Sequence, residues 1–70
     1  MAYKNHETWN VALWINNDES MYLMALSCKN YAEYKTAMDE IGMKNTPDNV
    51  YWNDPKIDID AIDEVIAEIL

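Results

Sequence analysis

His6 and Glu7 stand side by side as in the zinc-protease pattern, in which two histidines one helical turn apart hold the metal and the glutamate is the base. The second histidine would belong at position 10, where the chain has Asn10. A single histidine makes no tetrahedral site, and one just inside a helix start reads as a surface or capping residue. Cys28, the only cysteine, is a nucleophile only beside a base, and His6 is the sole side chain that titrates near neutrality. Its spacing from Met21, Met24 and Ala25 makes it a small core hydrophobe instead. Asp54, Asp58, Asp60 and Asp63 suggest Ca²⁺ or Mg²⁺, but a calcium loop needs alternating oxygen ligands and a glycine at its sharp turn. Ile59 and Ile62 interrupt this run and no glycine lies in it. Acids at a helix N-terminus, each stabilising by about 0.3–1 kcal/mol, account for them more simply. A paired-carboxylate site would need one acid desolvated beside an ionised one, and the acids of the last helix fall on a solvated face. The sequence therefore offers no catalytic residue, no metal ligand and no cofactor site.

Charge narrows the partners. The 70 residues carry 13 acids against five Lys, a formal net charge of −8. No Arg is present, so the bidentate grip on phosphate is missing and direct nucleic-acid binding through a basic face is excluded. Residues 1–47 hold six acids and four Lys, net −2, while residues 48–70 hold seven acids and one Lys, net −6. One cysteine allows no internal disulfide, and no basic-then-apolar leader is visible. The longest uncharged stretch, Thr8 to Asn17, is too short to span a bilayer. A reducing cytoplasm is the expected location.

These side chains are positioned by helices. Seventy residues make one domain, 1–70, with little room for a core, and three Trp, five Tyr and five Met supply its bulk. The expected fold is all-α: a compact bundle of about four short helices, with an irregular aromatic-containing segment, residues 43–57, before the last. The first helix starts after Asn5 as N-cap and runs to about Ile15. Apolar on most of its circumference, it is the candidate for the centre of the core. Asn16 and Asn17 break its pattern, and Asp18 caps a second helix to about Cys28. Asn30 caps a third, with Glu33 placed for a capping-box return. Tyr31, Tyr34, Ala37, Met38 and Ile41 face inward there, and Gly42 ends it. Thr46 to Asn49 has turn chemistry with Pro47 second, and Val50-Tyr51-Trp52 is an extended piece too short to stand alone. The last helix begins between Asp58 and Asp60 and ends near Leu70, with Ile59, Ile62, Val65, Ile66 and Ile69 as its apolar stripe.

The run Glu7-Thr8-Trp9-Asn10-Val11-Ala12-Leu13-Trp14-Ile15-Asn16-Asn17-Asp18-Glu19, with Tyr22 after it, resembles the start of a family of small bacteriophage proteins of unassigned function, many from cyanophages. Thr46-Pro47-Asp48-Asn49-Val50-Tyr51-Trp52 and Asp58-Ile59-Asp60-Ala61-Ile62-Asp63-Glu64 are similar to its later parts. The family favours Gly where this chain has Ser20 and Asn49, and both replacements suit a helix start or a turn. The resemblance implies a phage origin, a host-cytoplasm setting and no enzyme activity.

The aromatic set has two readings. In one, Trp52 folds back as a lid on the helices. In the other, Trp52, Tyr51 and Trp14 or Tyr22 leave an exposed patch, since Trp and Tyr are the usual anchors of interfaces. The acids Asp60, Asp63, Glu64 and Glu68 would steer a basic partner to it. As a DNA mimic the acidic face falls short: four charges over about 12 Å of helix compare with about seven on a duplex of that length, so a dimer would serve better. The expected function is a non-catalytic module binding a host or phage protein. The alternative is a structural homo-oligomer, most simply a two-fold dimer.

Overall fold

Three side chains decide where three of the helices begin. In the computed structural model, which describes residues 3–69, Asn5, Asp18 and Asn30 sit in extended backbone and accept hydrogen bonds from the N–H groups of Thr8 (2.9 Å), Met21 (3.0 Å) and Glu33 (3.0 Å). Each thereby satisfies a donor that the first helical turn leaves without a partner. The helices that follow are α1 (His6–Asn17), α2 (Glu19–Leu26) and α3 (Tyr31–Glu40). The fourth, α4 (Ile59–Ile69), is led by Asp58, which accepts from the N–H of Ala61 at 3.3 Å. The protein is a small all-α bundle of these four helices; Leu70, where the last helix was expected to end, lies outside the described residues.

Local chemistry sets the remaining ends. Asn16 and Asn17 do not stop α1: their amides bond back to the Ala12 and Leu13 carbonyls (3.0 and 2.8 Å), and the helix runs on to Asp18. Asp18 closes α1 through its N–H to Trp14 and opens α2 through its carboxylate. The second helix stops at Leu26, before Cys28, so α2 and α3 are separate. The capping-box return of Glu33 reaches the N–H of Lys29 (2.8 Å) rather than that of Asn30. Gly42, at φ +82°, ends α3 in a Schellman arrangement, with the Met43 N–H on the Met38 carbonyl and its own N–H on Asp39.

Residues 43–57 form a short pinched loop. The Asn49 N–H closes the Thr46-Pro47-Asp48-Asn49 turn on the Thr46 carbonyl (2.9 Å). Asn49 has φ 67°, the left-handed region in which Asn and Gly are tolerated. The extended piece has a partner after all, since Tyr51 forms an isolated antiparallel bridge with Asn45.

In the core, α2 and α4 each touch every other helix, whereas α1 and α3 do not touch each other. The expectation that α1 is central holds in part: it supplies more buried side chains than any other helix, but it packs on α2 and α4 and not on α3. Its buried residues are Thr8, Asn10, Val11, Ala12 and Ile15, and Trp9, Leu13 and Trp14 are only half-buried. Two stripe positions also fail: Ile41 is 61% exposed and Ile59 is exposed. Both lie at a helix end, Ile41 as the residue that closes α3 and Ile59 as the first of α4.

Candidate functional site

Asn10 is fully buried on α1, and its amide is used on both sides. Its Oδ1 accepts from the Thr46 hydroxyl (2.7 Å), and its Nδ2 donates to Asp48 Oδ2 (2.8 Å). The Trp14 indole N–H, one turn further along α1, donates to the same Asp48 oxygen at 2.9 Å. Thr46 Oγ1 in turn accepts from the N–H groups of Asp48 and Val50 (3.2 and 3.1 Å). The 46–49 turn is thus clamped onto α1 by two regions of the sequence 36 positions apart. The hydrogen bonds from Asn10 and then Trp14 hold the Asp48 carboxyl below its ordinary value. A second tie joins the Thr8 hydroxyl to the Asp58 N–H (2.9 Å), and the Asn5 amide bonds the Lys56 carbonyl at 2.6 Å. These contacts are structural: the Asn10 amide oxygen and nitrogen, the Thr46 hydroxyl and the Trp14 indole N–H are all engaged within the chain.

The aromatic cluster is structural too. Trp52 is only 4% exposed, so the lid reading describes it and its ring is removed from the candidate partner-binding set. It meets the Tyr34 ring edge-on at 5.2 Å between centroids, and its carbonyl accepts from the Tyr31 hydroxyl at 2.5 Å. Burial pushes both phenols above the ordinary 10.0. Among the described residues, Tyr34 Oη and Trp52 Nε1 are buried without a hydrogen-bond partner.

The other sequence candidates separate. Trp14 is half-buried with its indole N–H committed to Asp48. Tyr51 is 53% exposed, but the recesses it lines include neither Trp14 nor Tyr22, so a single patch uniting them is not formed there. Tyr22 is exposed on α2, where Leu23 and Leu26 join it. Asp60, Glu64 and Glu68 are exposed along α4. Asp63 is not free: it is half-buried and accepts from the Tyr31 N–H at 2.8 Å, capping α3 from a neighbouring helix. The residues that sequence reasoning missed are Asn10, Thr46 and Thr8 as tertiary anchors, and Leu23, Leu26, Ile41 and Met43 as surface. An amide in the middle of an apolar helix was the available signal for the first.

A family model matches residues 2–70, described as a family of unknown function, DUF7249. The chain belongs to that family. No curated protein and no solved structure matches it. The family match covers both halves of the clamp and all four helices. Among the described residues, no group of three or more His, Cys, Asp or Glu side chains is placed to hold a metal. Among them also, no helix is long and apolar enough to cross a membrane.

Proposed function

We propose that this chain is a non-catalytic bacteriophage accessory protein that works in the host cytoplasm by binding another protein, host or phage, over the outer face of α2. One observation carries this reading: α2 is apolar on both sides. Met21 and Ala25 face the core, yet Tyr22, Leu23 and Leu26 stand exposed on the opposite side. A surface helix ordinarily turns its polar face outward. Tyr22 and Leu26 are one turn apart, as are Leu23 and Leu26, so the three form one stripe. The similarity of residues 7–19 and 46–52 to small bacteriophage proteins supports the phage setting.

The acids of α4 favour a partner with a basic rim, because a line of like charge speeds encounter with its opposite. Duplex mimicry is less well supported. With Asp63 tied to α3, only Asp60, Glu64 and Glu68 remain on the line, against about seven charges on a duplex of about that length.

Affinity capture from infected host cells tests the proposal, comparing the natural chain with Leu23→Glu and with Ile59→Glu, an equal change of charge on α4. The partner is expected with the natural chain and with Ile59→Glu, and its recovery falls at least about tenfold with Leu23→Glu, the loss of one interface anchor. Recovery of no partner, or of one indifferent to Leu23→Glu, counts against it.

A further inference from the structure

Where the α2 stripe ends at Leu26, a recess begins. Ser27 and Cys28 follow Leu26 directly and line one side of a hollow of ≈ 430 Å³, whose other side is the part of α3 that carries Ala32, Glu33, Ala37 and Glu40. Cys28 is buried and Ala37 half-buried, so small apolar groups make its floor, while Glu33 and Glu40 stand exposed at its rim. The spacing of Glu33 and Glu40 is two helical turns, which puts both on one face of α3, about 10 Å apart along its axis.

The charge of this recess is of one sign. Its lining holds no lysine, and neither glutamate belongs to the ion pairs among the described residues, Lys4–Asp58 and Lys44–Asp39. Glu33 commits one oxygen to the Lys29 N–H. Lys29 itself, exposed and next to Cys28 along the chain, is outside the lining. The opposite end of the stripe is acidic too. Glu19 is exposed one turn before Tyr22 and Leu23, and no lysine or arginine occurs between Lys4 and Lys29.

An acidic rim over a small apolar floor fits one kind of side chain. Lysine and arginine lay their methylene stems on apolar surface and keep the charged head at the water. A guanidinium also takes a carboxylate through two parallel hydrogen bonds. An acidic side chain would meet two like charges there, and an apolar one would cover the glutamates without answering them. We propose that the partner of α2 is an amphipathic segment whose apolar side covers Tyr22, Leu23 and Leu26 and whose adjoining arginine or lysine enters the Glu33–Glu40 recess. This rests on the α2 reading and adds the partner's chemistry to it: apolar residues followed by a base.

Titration of the full chain at low salt with a synthetic peptide tests it, read by amide chemical shifts. The peptide has about 15 residues, with leucines at helical spacing on one side and arginines flanking them. Saturable shifts are expected at Leu23, Leu26, Cys28 and Glu40. Glu40→Lys weakens binding at least about fivefold, because it sets a like charge where the attraction was, and Glu68→Lys, the same change of charge on α4, less than about twofold. Both variants keep the helical circular dichroism spectrum of the natural chain. Four results overturn the proposal: no saturable binding, shifts confined to the α4 acids, equal affinity for Glu40→Lys and the natural chain, or equal binding of a peptide with glutamate in place of each arginine. Failure of the α2 reading is distinct. Capture from infected cells that is lost with Leu23→Glu but kept with Glu40→Lys removes the recess and leaves α2 as the docking face; capture indifferent to Leu23→Glu removes the docking face itself.

Discussion

Asn10 has no access to water, so its amide is stable in the core only because Thr46 and Asp48 answer it. Replacing it leaves the Thr46 hydroxyl without its acceptor. Asn10→Ala is therefore expected to lower unfolding free energy by about 1–3 kcal/mol, read by urea denaturation. Asp48 adds a pH dependence of definite sign. Its carboxyl lies below the ordinary 3.8 in the folded chain, so its stabilising effect is fully present above that value and is lost as pH falls through the lower, folded one. Denaturation at pH 6 and at pH 2.5 should show the advantage of the natural chain over Asp48→Asn shrinking at the lower pH; an advantage independent of pH would contradict the clamp. The two buried phenols give an internal contrast. Tyr31→Phe removes the bond to the Trp52 carbonyl and should cost about 1 kcal/mol. Tyr34→Phe removes a hydroxyl that has no partner and should be neutral or slightly stabilising by the same measurement.

Helix starts were legible from single residues because an N-cap is a local device. Asn5, Asp18 and Asn30 each bond an N–H three positions on, and nothing distant alters that. Gly42 was legible for the same reason, as the left-handed residue after a helix. What distant parts of the chain decide was not legible. Nothing in the order of residues says that α2 and α4, rather than α1, touch all the other helices. Nor does a period of 3.6 reveal that Ile41 and Ile59, at helix ends, meet solvent. The tryptophan-rich run and the 46–52 segment stood out as unusual, yet their joining through Asn10, Trp14 and Asp48 is a long-range fact. Asp63 illustrates the same division. On its own helix it is one more acid of a polar face; in the fold it caps α3. Asp63→Ala should cost about 1 kcal/mol, as loss of a helix cap does, whereas Glu64→Ala, one residue on and exposed, should cost little. Equal losses at both positions in thermal unfolding would remove the capping role.

At the scale of the molecule, a core fed by all four helices, with aromatic filling from Tyr31, Tyr34 and Trp52, leaves large apolar side chains outside it in two groups. One is the α2 stripe of Tyr22, Leu23 and Leu26; the other surrounds Tyr51. The extents of 28 × 24 × 19 Å give so small a body little interior in which to hide them. The acidity is likewise divided. Within residues 48–70, Asp48, Asp58 and Asp63 hold turns and helix starts, and the exposed acids along α4 are Asp60, Glu64 and Glu68. The central claim is that a protein partner covers the outer face of α2. Covalent surface labelling of the chain, read residue by residue by mass spectrometry in buffer and again in infected-cell lysate, tests it most directly. Tyr22, Leu23 and Leu26 are expected to lose most of their reactivity in the lysate while Ile59 keeps its own. Unchanged labelling of all three on α2 would contradict the account.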